Sequence, residues 1–243
     1  MDIRIIHFYP DLMSLYGSYA NVSVLKRRLE QMGHTVTVEP VAPGQDADLT
    51  HADFLFMGAG TERAQKAALA DFTRYGNAVK TAADAGMPMF FAGTAMELLG
   101  KSITDAEGYV FEGIGLASFT SVQGKRRFVE DVYGHTDLYS EAVVGFMNKC
   151  SVVSGVETPL LTSLDMGYGN EGERSAEGFH RKNVFASQLT GPLLVKNPRM
   201  LDAVVSAIFQ YRKAPLPSQQ PRDHWAEDGY AITEEQLRLR FAK

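Results

Sequence analysis

Short runs of apolar residues occur at intervals along the first hundred positions of the chain. Residues 3–8, 53–57 and 88–92 are mainly apolar, and residues 35–38 alternate threonine with valine. Continuous apolar runs of this length are typical of strands that are buried on both faces of a parallel sheet. The pattern therefore predicts four strands, three of them in the centre of a core.

Helical patterns separate these runs. Asn21 is expected to cap an amphipathic helix that ends at Gly33, an alanine-rich helical stretch reaches about Ala85, and a further helix ends near Gly100. This order of strands and helices predicts an α/β fold with an open, mainly parallel central sheet flanked by helices.

The pattern changes in the second half of the chain. Residues 109–185 contain short strand-like pieces between glycine-rich loops, and no long helix is expected there. A helix is expected to begin at Asn197-Pro198, where proline suits the first turn, and to run to Tyr211. We therefore predict one domain over residues 1–213 and a tail over 214–243, in which a proline-rich linker precedes a short helix opened by Thr233. The pattern leaves open whether this tail packs on the body or reaches a partner.

Composition and charge narrow the class of protein. The chain has 243 residues, 45% of them hydrophobic and 22% charged, and a net charge of −5, which is ordinary for a globular protein. The acidic balance argues against nucleic acid as a partner, and no apolar run is long enough for membrane insertion. Cys150 is the one cysteine, so an internal disulfide and a cysteine-based metal site are excluded, which fits a reducing cytoplasm. Neither a metal nor a cofactor is expected.

Two turns that follow predicted strands could carry chemistry. At Gly93 a buried strand turns through small residues into a helix, which is the geometry of a nucleophile elbow and also of a plain strand-to-helix turn. The hydroxyl of Thr94 is expected to cap that helix. The loop Met57-Gly-Ala-Gly-Thr-Glu62 offers backbone amides that could bind an anion or a developing oxyanion. No Gly-Lys-Ser/Thr follows it, so it is not a phosphate-binding P-loop.

Motifs along the whole body, taken in order, carry a family resemblance. They are His7-Phe-Tyr-Pro-Asp-Leu-Met, Gly58-Ala-Gly60 with Gln65, Gly145-Phe-Met-Asn148, and Thr190-Gly-Pro-Leu-Leu-Val-Lys-Asn-Pro198. Together they resemble the class I glutamine amidotransferases of the cobyric-acid-synthase-like branch, and most closely the GatD-type subunits of lipid II isoglutaminyl synthase. The residues after about Ala214 lie outside the resemblance.

The resemblance implies a reaction whose catalytic side chains this chain lacks. In the family a cysteine at the elbow attacks the glutamine amide, a histidine before the last helix moves protons, and the glycine loop stabilises the oxyanion. The cysteine position falls on Gly93 and the histidine position on Thr190, while a further family histidine is replaced by Lys149. The other site residues implied are Gly58, Ala59, Gly60 and Thr94 around the oxyanion, and Arg127 against the substrate. For Arg127 a solvated turn is the alternative.

These substitutions lead us to expect a degenerate, non-hydrolysing subunit. Removing a nucleophile or its base costs on the order of 10⁶ in rate, whereas an oxyanion site alone leaves only roughly 10³–10⁴ over water. The resemblance implies a MurT-type, Mur-ligase-like synthetase as partner, glutamine as a possible ligand, and amidation of lipid II D-glutamate as the reaction served. Three alternatives stay open: an active amidotransferase that uses Cys150 or Thr94, a cobyric-acid-type amidation, and a module that binds glutamine without cleaving it. His180 is expected on a surface or loop.

Overall fold

Strands and helices alternate in the first half of the chain, as the sequence predicts. The computed structural model describes residues 1–218 and 220–241. The elements of the first half are β1 (Asp2–Phe8), α1 (Ala20–Gln31), β2 (Thr35–Val41), β3 (Phe54–Met57), α2 (Glu62–Phe72), α3 (Gly76–Asp84) and β4 (Met89–Ala92). Those of the second half are β5 (Ser102–Thr104), β6 (Val110–Glu112), β7 (Thr120–His135), β8 (Val143–Ser154), β9 (Ser163–Met166), β10 (Phe179–Arg181), β11 (Val184–Ser187), β12 (Leu189–Thr190), α4 (Leu193–Lys196), α5 (Pro198–Tyr211) and α6 (His224–Phe241).

A six-stranded sheet forms the centre of the protein. Its order is β10-β11-β4-β3-β1-β2, and every neighbouring pair is parallel except β10 with β11. Successive residues of the buried strands point to opposite faces, so that Ile5 packs in one apolar cluster with α1 and α5, while Ile6 packs in another with α2 and α3. The parallel sheet flanked by helices is therefore confirmed.

A second sheet stands beside the first and is mainly antiparallel. Its order is β12-β8-β7-β5-β6, with β9 also paired to β7. The expectation of only short strands here is wrong for β7 and β8, which have 16 and 12 residues. Their register shifts between Gln123 and Phe128, where four consecutive residues are exposed. Such an irregularity hides the alternation by which a long strand is recognised.

Three predicted helix boundaries differ in the structure. The alanine-rich stretch is two helices, because a 3₁₀ turn over Thr73–Tyr75 interrupts it. Asn21 lies inside α1 and is not its cap; its side-chain oxygen instead accepts a hydrogen bond of 2.9 Å from the backbone of Leu194. The terminal helix begins at His224 rather than at Thr233, because the side chain of Asp223 accepts hydrogen bonds from the amides of Trp225 and Ala226.

The tail packs on the body through α6. Leu237 is buried against Tyr133, Ala142 and Val144 of the second sheet and its border. The predicted linker includes Gln219 and the predicted tail includes residues 242 and 243, all of which lie outside the described residues. The division at residue 213 stays a prediction. Within the described ranges, no helix combines the length and apolar character that crossing a membrane requires.

Candidate functional site

A cavity of about 240 Å³ opens where β3 and β4 end. Crevices at the carboxyl ends of parallel strands are the usual ligand sites of α/β sheets. Its wall is formed by Leu15, Tyr16, Ala59, Gly60, Thr61, Glu62, Gly93, Thr94, Glu97, Arg127, Asn148, Lys149, Gln188 and Thr190. The structure thus brings together every predicted site residue except Gly58, which is not part of this wall.

Gly93 occupies the turn that follows β4. Its φ is +60°, a left-handed conformation that side chains disfavour. A Cβ at this position would lie 3.8 Å from Cγ2 of Thr190 and 2.6 Å from Cβ of Ala59. The positions expected for a nucleophile and its base are therefore adjacent in space, but neither carries the side chain that the reaction needs.

The glycine loop between β3 and α2 holds its amides in internal hydrogen bonds. The amide of Ala59 donates to Oγ of Ser18 at 3.1 Å, and that of Gly60 donates to Oγ1 of Thr94 at 3.0 Å. The Thr94 hydroxyl in turn donates to the carbonyl of Gly60. Thr94 thus bridges to the glycine loop, and the expectation that it caps the following 3₁₀ turn (Gly93–Leu99) is wrong.

Close packing against Met13 explains the glycines of this loop. A Cβ on Gly58 would lie 2.2 Å from the carbonyl oxygen of Met13, and one on Gly60 would lie 2.5 Å from the Met13 sulfur. A side chain at either position would require the backbone or the methionine to move. The glycine pattern is therefore accounted for by packing, whether or not an anion binds.

The hydroxyl of Thr190 is engaged in the second sheet. Its Oγ1 donates to the carbonyl of Phe146 at 3.0 Å, across the pair formed by β12 and β8. A threonine hydroxyl has no pKa near neutrality, so it cannot replace an imidazole as a proton carrier. This contact stabilises strand pairing beside the cavity.

Arg127 lies at the mouth of the cavity and is 43% exposed. Its guanidinium donates to Oε1 of Glu62 and to Oδ1 of Asn148, both at 2.8 Å. Asn148 donates in turn to the hydroxyl of Tyr16. Burial opposes ionisation of Glu62, but its own backbone amide and Arg127 lower the pKa of this carboxyl below its ordinary value. The arginine is thus paired and positioned in the structure, and contact with a substrate stays a prediction.

The floor of the cavity carries a buried polar cluster that the sequence analysis missed. Glu97 accepts hydrogen bonds from the hydroxyls of Ser121 at 2.7 Å and Ser151 at 2.6 Å, and from Nε2 of Gln188 at 3.1 Å. Lys149 donates to Oε1 of Gln188 at 2.6 Å. A carboxylate and an ammonium group thus meet through one amide side chain.

Charge balance holds this cluster together. Burial lowers the pKa of Lys149 to about 8, against the opposing effect of Glu177 and Glu97. Burial raises the pKa of Glu177, which accepts hydrogen bonds from the amide of Gln188 and the hydroxyl of Ser187. The replacement of a family histidine by Lys149 was the available signal, since a lysine in a core strand requires acidic partners.

The alternative nucleophiles lie in unsuitable surroundings. Cys150 lies on β8 and is not part of the cavity lining, and its Sγ is 3.3 Å from Oε1 of Glu62. Burial, reinforced by Glu62, raises the pKa of this thiol to about 12. His180 lies on the edge strand β10, where it stacks on Phe185. Neither Cys150 nor His180 belongs to the cavity wall that contains Gly93.

The fold and the site define a glutamine-amidotransferase type of protein, with a glycine loop and a tight turn at the ends of neighbouring parallel strands. The chain belongs to the CobB/CobQ-like glutamine amidotransferase domain family, whose model matches residues 4–198.

Curated relatives and solved structures agree with this assignment. The chain is 31% identical over 213 residues to the GatD subunit of lipid II isoglutaminyl synthase (glutamine-hydrolyzing) from Streptococcus pneumoniae, with 86% of this chain and 81% of the relative covered. The corresponding Staphylococcus aureus subunit is 26% identical over 219 residues, with 90% of this chain and 89% of the relative covered. The fold is similar to that of PurLQS from Thermotoga maritima, with a TM-score of 0.55, 14% identity, and coverage of 87% and 100%. The fold is also similar to that of a glutamine amidotransferase from the same organism, with a TM-score of 0.54 and 10% identity. The match covers 97% of this chain and 95% of that one.

Proposed function

We propose that the chain is a GatD-like subunit that does not hydrolyse glutamine and acts with a MurT-type, Mur-ligase-like synthetase in the amidation of lipid II D-glutamate. The observation that carries this proposal is Gly93, which leaves the catalytic turn without a side chain. Thr190 beside it supplies no base. Two missing groups of one catalytic unit leave covalent attack without a nucleophile and without a proton acceptor.

The state of the glycine loop supports the same proposal. The amides of Ala59 and Gly60 donate to the hydroxyls of Ser18 and Thr94. An oxyanion would have to displace these hydroxyls before it could use either amide, so electrostatic stabilisation of a transition state is also weakened.

We propose a partner synthetase and a cytoplasmic place for the reaction, and the names of the relatives support the partner. Both curated relatives are named as subunits of lipid II isoglutaminyl synthase, and a subunit retained without its own chemistry keeps a role through the complex. We propose that it stabilises or regulates the synthetase, which then takes free ammonia or nitrogen from another glutaminase.

An assay of the purified complex tests this function. The chain is co-produced with its Mur-ligase-like partner, and glutamate release and amide formation are measured with glutamine or with ammonium. We expect amide formation only with ammonium, and no glutamate above the blank, while the Staphylococcus aureus subunit serves as the active control. Glutamate release by the chain, alone or in complex, would contradict the proposal that it does not hydrolyse glutamine.

A second candidate function is glutamine binding without cleavage. The cavity of about 240 Å³, with Arg127 and Asn148 at its mouth, supports it. Calorimetry with glutamine tests it, with Arg127→Ala as the variant expected to lose binding and Arg126→Ala, an exposed neighbour, as the matched control. If the unmodified chain gives no heat of binding, glutamine binding is excluded and the scaffold function is the one that remains.

A further inference from the structure

The place that a side chain at position 93 would need is already filled. A Cβ built on Gly93 comes within 2.6 Å of Cβ and 3.3 Å of Cα of Ala59. Non-bonded carbon atoms pack at about 3.5–4.0 Å, so either residue would have to move by roughly 1 Å. The obstruction acts in addition to the left-handed φ of +60°, which already disfavours any side chain there.

Ala59 has little freedom to move away. Its amide donates to Oγ of Ser18 at 3.1 Å, and its carbonyl accepts from the amide of Leu15 at 2.9 Å. The flanking glycines pack so closely on Met13 that neither has room for a Cβ. Backbone held from both sides transmits a displacement to its neighbours instead of absorbing it. The methyl group of Ala59 is therefore fixed at the turn.

We infer that Ala59 and Gly93 form a steric pair in which the Ala59 methyl group takes the place of the nucleophile's Cβ. The inference deepens the proposed function and rests on it, because it makes Ala59 the residue that excludes a catalytic side chain. Restoring a cysteine at position 93 and a histidine at position 190 then does not suffice. Ala59→Gly is the third change that the site requires.

A double-mutant cycle on the full chain tests the pair. Gly93→Ala, Ala59→Gly and the double variant are compared with the unmodified chain by thermal unfolding. Gly93→Ala is expected to lower Tm by about 5–10 °C, since about 1 kcal/mol corresponds to roughly 2–4 °C at this size. Adding Ala59→Gly is expected to recover about half of that loss, because it removes the clash but leaves the φ strain. Ala95→Gly, a buried change in the same turn, is the matched control and is expected to recover nothing.

The outcomes separate this inference from the function on which it rests. Additive losses in the cycle, or equal recovery by Ala95→Gly, would overturn the steric pair even if the chain proves inactive. Glutaminase activity of the unmodified chain would overturn the proposed function. The double-mutant cycle would still measure the steric coupling between positions 59 and 93. If Gly93→Ala yields no folded protein, folded yield becomes the measurement. Recovery of folded yield by Ala59→Gly then supports the pair, and no recovery overturns it.

Discussion

Cys150 shows how much a residue's surroundings decide about its chemistry. Its thiol donates to Glu62, 3.3 Å away, and burial together with that carboxylate raises the pKa to about 12. A thiol reacts through its thiolate, so this environment suppresses reactivity. The sequence identified a lone cysteine far from the elbow, and the structure adds the reason why it is a poor nucleophile.

We predict slow alkylation of Cys150. A thiol pKa of about 12 instead of the ordinary 9.0 corresponds to about a thousandfold less thiolate at pH 8. Iodoacetamide labelling, followed by mass spectrometry, should therefore be at least about a hundredfold slower in the folded chain than in the chain unfolded in urea. Glu62→Gln should accelerate it, because the carboxylate that holds the proton is removed. Equal rates for the folded and unfolded chains would contradict the prediction.

His7 is the second residue whose burial sets its charge. Burial lowers its pKa from 6.5 to about 4, against a small opposing effect of Asp11. Among the described residues, its Nε2 is buried without a hydrogen-bond partner. Between pH 6.5 and 4 the unfolded chain binds a proton that the folded chain does not, so stability falls as the pH falls through this window.

We predict that His7→Phe reduces the dependence of folding stability on pH between pH 6.5 and 4. The imidazole accounts for up to about 3 kcal/mol of acid destabilisation between these two pH values, and phenylalanine can keep the edge contact with Phe56. Urea unfolding at several pH values measures the slope, with His51→Gln, an exposed histidine, as the control. The prediction fails if His7→Phe and the unmodified chain lose stability in parallel.

At the scale of elements, α6 depends on a small apolar contact. Leu237 is buried in a cluster with Tyr133 and Met166, whereas Leu239 on the same helix is 50% exposed. Tyr230 donates to the carbonyl of Ala142, and Tyr133 donates to Glu234. The helix is thus anchored along one face only.

We predict that Leu237→Ala releases α6 while the body stays folded. Truncating a buried leucine costs about 2–5 kcal/mol, which is enough to loosen a helix in which Leu237 is the buried residue. Faster hydrogen exchange confined to α6 is the expected result. Leu239→Ala is the matched control and should leave exchange unchanged. Equal exchange in the two variants would show that Leu237 does not anchor the helix.

At the scale of the whole molecule, Glu97 links the two sheets. Its carboxylate follows β4 of the first sheet and accepts hydrogen bonds from Ser121 on β7 and Ser151 on β8 of the second. Lys149 balances part of the charge through Gln188. A buried, fully bonded carboxylate in this place makes the relative position of the sheets specific.

We predict that Glu97→Ala destabilises the entire fold. The change removes the acceptor of four buried donor side chains and leaves Lys149 with less compensating charge, which should cost about 3–5 kcal/mol. Glu97→Gln keeps the size and one acceptor, so its cost should be smaller. Urea unfolding measures both, with the exposed Glu107→Ala as the control. A cost near zero for Glu97→Ala would mean that the cluster does not hold the sheets together.

Much of the molecule could be predicted wherever the signal is local. The strand that became β4 and the helix α5 follow from an apolar run and from a proline at a helix start. The irregular register of β7 and the interrupted helix before β4 could not be predicted, because a bulge and the buried Tyr75 act through contacts with other elements. Lys149 was visible as a departure, but its partners were not.

By itself, the sequence determined the family, and motif order placed Gly93 and Thr190 at the positions where the resemblance implies a cysteine and a histidine. Only the tertiary structure decided what occupies the site. Ser18 bonds the amide of Ala59, 41 positions along the chain, and Thr94 bonds that of Gly60 across 34 positions. Ala59 also meets the turn at Gly93. Contacts between distant segments depend on how the sheet brings strand ends together, and no local pattern of residues encodes a distance of this kind.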